Sequence, residues 1–423
     1  MKRIFQIILA LFILSTPLCE VAMAQKASKK ASVTTQKKSS KSKKASKSST
    51  KAAKGEKPSK GKSLVVGAER TKTYLPFLKN KRVALLAHNA SVVGTKRTVD
   101  FLLENKVKVT MIFSPEHGFN SAAQAGEVVA DDVDPKTKLP IISLYRSREE
   151  GHPDADDMKK FDILIVDLQD VGVRAYTYYV TMAKMMDICA EYNKKVIIFD
   201  RPNPNGMYVD GPILDMKYKS GVGYFPIPYV HGMTLGELAK MINGEGWLTG
   251  TRQVDLVVIP CENYTHQTVY DCPIAPSPNL PNALSVALYP SLCLFEGTPM
   301  SVGRGTEKAF QCFGHPNMGS DYQFTFTPKT DHLKDKLCYG MDLTGTPISM
   351  ARQKGLNLNF VITAYNAMNL GNFFFSPFFE KVIGVDYVRK MILQGKSADE
   401  IASMWVQDVE EFKERRKPYL LYK

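Results

Sequence analysis

The chain has 423 residues and a formal net charge of +14, from 56 Lys and Arg against 42 Asp and Glu. That excess is local: residues 1–24 contribute +1 (Lys2, Arg3, Glu20) and residues 25–62 contribute +13 (14 Lys, one Glu), which leaves zero for residues 63–423. A neutral folded part gives no electrostatic footprint for nucleic acid, and no apolar run reaches the ~20 residues that cross a bilayer, so neither a nucleic-acid partner nor a transmembrane segment is expected.

The first element is a leader. "MKRIFQIILALFILSTPLCEVAMAQ" has Lys2 and Arg3, then an apolar stretch, then a small-residue cleavage site "AMA" ending at Ala24. Cys19 follows "TPL", which lacks the small residue that a lipobox places beside its cysteine. The expectation is a secretory signal peptide cut near Ala24 and an exported protein, periplasmic or extracellular. Residues 25–62 are almost wholly Lys, Ser, Ala and Thr. Such a segment buries too little apolar surface to offset its ordering entropy, so it is expected to be a disordered linker. It serves either as a solubilising spacer or as a contact to anionic envelope surfaces.

Residues 63–205 alternate strand and helix signals. "RVALLAHNA", "KVTMIFSPEHG", "LPIISLY", "KKFDILIVDLQDVG" and "VIIFDRPNP" read as strands, while "RTVDFLLENK" and "TYYVTMAKMMDICAEYNKK" carry helical spacing. Val, Ile and Leu runs without polar alternation mean strands covered on both faces. The expected fold class is α/β, a doubly wound parallel sheet.

Polar clusters close these strands: "HNAS" at 88–91, "SPEHGF" at 114–119, "DLQDVGVRAYTY" at 167–178 and "DRPNPNG" at 200–206. The carboxyl edge of an open parallel sheet is where ligands bind. In "SPEHGF" two ionisable groups, Glu116 and His117, stand between Pro115 and Gly118 in a stiff turn, which reads as positioned more than as a solvated loop. No GxGxxG follows the first strand and no GxxxxGK[ST] occurs, so neither a dinucleotide nor ATP is supported, and no cofactor is expected.

Beyond residue 206 the texture changes to short strands, many Pro and Gly, and scattered helices, which reads as a second, α+β domain over 206–423. Its conspicuous polar stretch is "LFEGTPMSVGRGTEKAF" at 294–310, with Glu296, Ser301, Arg304 and Thr306 among small residues that let a ligand approach the backbone. Six cysteines follow the leader. Cys261 and Cys272 bracket a short loop and, in an exported chain, could form a disulfide, while Cys189 sits on an apolar helix face as a buried thiol. No CxxC, HxxxH or HExxH occurs, so no metal is indicated.

Taken together, "SPEHGF", "DLQDVGVRAYTY", "DRPNPNG", "HGMTLGELA" and "FEGTPMSVGRGT" resemble, in order along the chain, the exo-acting β-N-acetylmuramidase family of NamZ-type glycoside hydrolases. The resemblance implies a Rossmann-like domain followed by a smaller C-terminal domain, with the site in the cleft between them. It further implies removal of N-acetylmuramic acid from the non-reducing end of peptidoglycan fragments, so the partners are muramyl saccharides. A carbohydrate-binding protein without catalysis and a wall esterase or amidase are the rivals, and the absence of GxSxG argues against the latter.

Glycoside hydrolysis needs a proton donor and usually a second carboxylate. Glu116 is the candidate acid, with His117 orienting it or touching sugar hydroxyls. For the second group Asp170 is preferred to Asp167, being nearer the turn, with Asp200 and Glu296 also available. The sugar's own acetamide is an alternative nucleophile. Arg174, Arg201 and Arg304 are candidates for a planar, two-bond grip on the lactyl carboxylate of muramic acid, each with a loop-holding salt bridge as its alternative. Tyr176 and Tyr178 can stack on a sugar, although at helical spacing one of them must face the core, and Asn203 and His231 complete the substrate-binding set, His231 with a structural turn as its alternative.

Overall fold

Each apolar run becomes a strand, and the strands come together edge to edge. The computed structural model describes residues 63–146, 151–353 and 355–423. The leader and the Lys-rich segment therefore lie outside the described residues. After α1 (Thr71–Leu78), the chain forms β1 (Arg82–Ala87), a ribbon of β2 (Val92–Val93) and β3 (Lys96–Arg97), α2 (Thr98–Glu104) and β4 (Lys108–Ser114). Then come β5 (Asp132–Val133), β6 (Pro140–Ser143), α3 (Ala155–Met158), β7 (Ile163–Asp167), α4 (Tyr178–Glu191) and β8 (Lys195–Phe199). A ribbon of β9 (Asp210–Ile213) and β10 (Pro228–Val230) and helix α5 (Leu235–Gly244) precede β11 (Asp255–Ile259).

The main sheet has the order β11-β8-β7-β1-β4-β6-β5, with every neighbour parallel except β5 on β6. The chain steps from β1 outward through β4 and β6, then returns to the other side of β1 for β7, β8 and β11. That reversal opens a crevice at the carboxyl ends of β1 and β7. Strand alternation divides the core in two. Val83, Leu85 and Ala87 of β1 face Tyr74 and Leu78 of α1 and Val99 and Leu102 of α2. Ala84 and Leu86 belong to the larger core, with Met182 and Met186 of α4 and Leu238 of α5.

The boundary expected at residue 205 does not coincide with the sheet, whose edge strand β11 lies at Asp255–Ile259. The Pro- and Gly-rich chain after residue 206 that reads as a new domain is a long crossover between two adjacent strands of one sheet. The remaining chain holds α6 (Ala283–Leu292), a small antiparallel sheet of β12 (Cys312–His315), β13 (Phe324–Phe326) and β14 (Cys338–Asp342), α7 (Ile348–Gln353), α8 (Asn359–Met368) and α9 (Phe378–Ile383). Three further helices follow, and Tyr422 returns to the sheet, its hydroxyl donating to Asp200 Oδ2 at 2.6 Å. Among the described residues no helix is long and apolar enough to cross a membrane.

Cys261 and Cys272 are free thiols rather than a disulfide. Cys261 is turned into the core, where its Sγ donates to Asp200 O at 3.3 Å. Cys189 is fully buried, and burial pushes its thiol well up, as an inert core cysteine requires.

Candidate active site

β4 leaves the sheet at Ser114 into a β-turn closed by the Gly118 N–H, which donates to Pro115 O at 3.0 Å. His117 stands in that turn at φ 71. A left-handed residue other than glycine persists only where its surroundings hold it. Here Nδ1 of His117 bonds Ala123 O at 2.8 Å, and the Ala123 N–H donates back to His117 O at 3.2 Å. A carbonyl only accepts, which assigns the ring proton to Nδ1.

Glu116, half-buried beside it, is gripped from two segments. Its Oε2 accepts from Thr177 Oγ1 at 2.6 Å, at the start of α4, and its Oε1 accepts from the Gly126 N–H at 2.9 Å, in the loop after β4. Each carboxylate oxygen has a further lone pair, so the group is fixed without being saturated.

Glu116 and His117 line the inner end of a cleft, about 70 Å³ in volume, together with Tyr176, Tyr178, Glu296 and Arg304. Tyr176 OH donates to Pro276 O at 2.8 Å, and Tyr178 OH lies 3.4 Å from His88 Nδ1, Glu116 O and Pro276 O. Burial raises both phenols, so they act as neutral hydroxyls. Burial, with Arg201 and His117 adding to it, pushes His88 down to about 3, and its neutral Nε2 accepts from the Gln169 N–H at 3.0 Å. Glu296 and Arg304 form an ion pair, and the guanidinium lies over the Phe310 ring at 4.9 Å. The same two residues, with Ala125, also line a wider outer part of about 540 Å³.

The structure thus brings together Glu116, His117, Tyr178, Glu296 and Arg304. It turns the other sequence candidates inward. Asp167 and Arg201 satisfy each other: Oδ1 and Oδ2 of the aspartate accept from Nε at 2.6 Å and Nη2 at 3.1 Å, Thr98 Oγ1 adds a bond of 2.6 Å, and Arg201 also donates to Val92 O. Asp170 is buried behind the strand end, with Oδ1 accepting from the Gly172 N–H at 2.6 Å and Oδ2 without a partner. Burial pushes its carboxyl up to about 7 against the pull of nearby backbone N–H groups. It does not line the cleft, so a raised carboxyl here is a property of the core.

Arg174 is wholly buried and meets no carboxylate. Its Nη1 donates to Pro212 O and Ile227 O, both at 2.8 Å, and its Nη2 to Ile383 O at 2.6 Å and Val382 O at 3.4 Å. The arginine therefore ties the β9–β10 ribbon to the carboxyl end of α9. Asn203 shapes its own turn, accepting from the Asn205 N–H at 2.8 Å and donating to Met233 O at 2.9 Å. His231 is buried, accepts from the Met233 N–H at 3.2 Å, and is pushed down to about 3 by burial, with Arg416 and Arg174 adding to it. It is the turn histidine of the two readings.

Other cleft residues have no motif in the sequence. Asn279, in the stretch "PSPNLP", donates to Gln124 Oε1 at 3.1 Å and accepts from the Gly305 N–H at 3.3 Å, which joins the Glu116 loop to the Arg304 loop. The wall of the outer part comes from "NFFFSPFF", through Phe373, Phe374, Phe375 and Phe378. The Pro flanking Asn279 and the aromatic run are signals of a connector and a core segment, not of a site. Thr177 could have been found as the polar residue heading the α4 pattern.

The chain matches the family model described as exo-beta-N-acetylmuramidase NamZ, N-terminal, over residues 83–284, and the C-terminal model of the same family over residues 287–422. It is 35% identical over 373 residues to the peptidoglycan beta-N-acetylmuramidase NamZ of Bacillus subtilis (strain 168), across 82% of this chain and 89% of that protein. Among solved structures it is similar to a DUF1343 family protein from Bacteroides fragilis NCTC 9343, with 56% identity and a TM-score of 0.80 over 86% of this chain and 99% of that one. A second DUF1343 family protein from the same organism has 26% identity and a TM-score of 0.72, over 85% and 99%. With both models matched in order and most of each relative covered, the chain belongs to the exo-β-N-acetylmuramidase NamZ family.

Proposed function

We propose that this chain is a peptidoglycan glycoside hydrolase that releases N-acetylmuramic acid from the non-reducing end of wall fragments, with Glu116 as its general acid. The observation that carries this reading is the clamp on Glu116: a carboxyl group held by Thr177 and Gly126 at the inner end of a cleft that also contains a second carboxylate, Glu296. A glycosidase needs a proton delivered to the leaving oxygen as the sugar acquires oxocarbenium character, and a second group at the other side of the ring. Glu116 takes the first role and Glu296 the second, in place of the inward-turned Asp170 and Asp167. The family relative's name, a peptidoglycan beta-N-acetylmuramidase, points to the same chemistry.

Arg304 is the one sequence-candidate arginine that lines the cleft, and only its Nη2 is committed to Glu296. Its remaining N–H groups suit the lactyl carboxylate that distinguishes muramic acid from N-acetylglucosamine. We place the reaction outside the inner membrane on the strength of the leader at residues 1–24, and assign the basic residues 25–62 to contact with anionic envelope surfaces.

Incubation with a muramyl-β-1,4-N-acetylglucosamine disaccharide is expected to release free muramic acid, and an intact disaccharide would overturn the reading. Arg304→Ala is expected to lower kcat/KM on that substrate about 10- to 100-fold more than on the matching N-acetylglucosaminyl disaccharide, because only the former loses a charge-assisted pair. Equal losses on both sugars would make Arg304 a support for Glu296 alone.

A further inference from the structure

Beneath the guanidinium of Arg304 lies Phe310, and its backbone is unusual. It stands at φ 54, in the left-handed region where glycine or asparagine is common and a bulky side chain is an outlier. Such strain persists only where neighbouring contacts over-determine the backbone, and it gathers at functional sites. Here the Phe310 N–H donates to Val302 O, the Gln311 N–H to Lys308 O and the Leu343 N–H to Gln311 O, each at 2.9 Å. Asn282 Nδ2 adds a bond to Gln311 Oε1 at 3.1 Å. A glycine would take this conformation without strain, so the phenyl ring is what the strained position gains.

That ring is buried and meets two groups of the site. The Arg304 guanidinium lies over it at 4.9 Å from the centroid, and Tyr289 packs against it at 5.0 Å. Tyr289 in turn meets Tyr176 edge-on at 6.0 Å, and Tyr176 meets Tyr178 at 4.8 Å. Phe310, Tyr289, Tyr176 and Tyr178 all line the inner end of the cleft. They form a row of touching rings from Arg304 to Tyr178, whose hydroxyl lies 3.4 Å from Glu116 O.

Arg304 depends on this support. Its backbone is fixed, since the Lys329 N–H donates to Arg304 O at 2.9 Å and the Thr306 N–H to Gly303 O at 3.1 Å. Its side chain, by contrast, has one hydrogen-bonding partner among the described residues, Glu296. A guanidinium tied at a single nitrogen can still turn about that bond. An aromatic face beneath it removes the freedom, because the planar cation is held flat against the electron-rich ring. The remaining N–H groups then point in one direction, as a two-bond grip on a carboxylate requires.

Building on the proposed muramidase activity, in which Arg304 takes the lactyl carboxylate, we propose that Phe310 is the positioning residue for that specificity. Its ring holds the Arg304 guanidinium in the plane that receives the carboxylate. The strained turn over residues 306–311 delivers the ring to the arginine.

The test is a double-mutant cycle between Phe310 and Arg304, read as kcat/KM for the muramyl-β-1,4-N-acetylglucosamine disaccharide. Phe310→Leu and Phe310→Met both keep a buried apolar side chain and remove the aromatic face, so one can stand in if the other unfolds. With Arg304 present, the change is expected to lower kcat/KM about 3- to 10-fold, mainly through KM, the range of a cation–π contact. In the Arg304→Ala background the same change is expected to cost less than about 2-fold, because no guanidinium is left to hold. A loss of equal size in both backgrounds, or none in either, overturns the positioning role and leaves the hydrolase reading intact. A wild-type chain that releases no muramic acid from the disaccharide overturns the hydrolase reading and this inference with it.

Discussion

Glu116→Gln is expected to lower turnover on a muramyl disaccharide by about 10²-fold or more while the protein stays folded. The amide retains one oxygen to accept from the Gly126 N–H, and the Thr177 hydroxyl can turn to accept from the new NH₂, so the turn at 115–118 keeps its anchors. What disappears is the proton that the leaving oxygen requires. The loss is expected to shrink on a substrate with a good leaving group such as fluoride or nitrophenol, which departs with little protonation. Steady-state kinetics on both substrates checks this, and near-normal turnover on the disaccharide would move the acid to Glu296.

The second large effect concerns stability. Arg174→Met removes the donor to four backbone carbonyls that have no access to water, and unsatisfied buried acceptors are costly, so a loss of at least about 3 kcal/mol is expected. For a folded part of this size that corresponds to a fall in Tm of roughly 4 °C. The site is built tightly around the charge: Gly384 stands at φ 88, and a Cβ there would come within 2.2 Å of the guanidinium. Burial lowers the arginine to about 10, still charged at neutral pH, and the carbonyl end of α9 helps to hold that charge. The preference for muramyl over glucosaminyl substrate is expected to be unchanged in this variant. Thermal unfolding and the substrate ratio together check it; a normal Tm with a lost preference would make Arg174 the reader of the lactyl group.

Arg174 and Arg201 show where the sequence is legible and where it is not. The apolar runs mark the buried strands directly, because a strand covered on both faces has no polar alternation, and the polar clusters after them mark the ligand edge. Glu116, His117 and Tyr178 follow from that placement, while Glu296 and Arg304 stand in the Gly-rich stretch at 294–310. What a strand-end cluster cannot reveal is whether its charges face a ligand or each other. Asp167 finds Arg201, 34 residues away, and Arg174 finds carbonyls up to 209 residues away, so only the packed chain distinguishes a bound guanidinium from a free one. Asp170 reads as better placed than Asp167 because it is nearer the turn, yet it is buried with its Oδ1 held by the Gly172 N–H. The missed wall around Phe373 has the opposite cause: an aromatic run reads as core, and most of it is core, while one ring points out. The crossover between β8 and β11 reads as a domain border because its Pro and Gly content resembles one.

On the proposed function, the sugar to be released sits between Glu116 and the Glu296–Arg304 pair. The most direct test is the crystal structure of the Glu116→Gln protein soaked with muramyl-β-1,4-N-acetylglucosamine. The glycosidic oxygen is expected within hydrogen-bond distance of residue 116, with the lactyl carboxylate on Arg304. A disaccharide bound elsewhere, or held with its lactyl group away from Arg304 and its glycosidic oxygen away from residue 116, would contradict it.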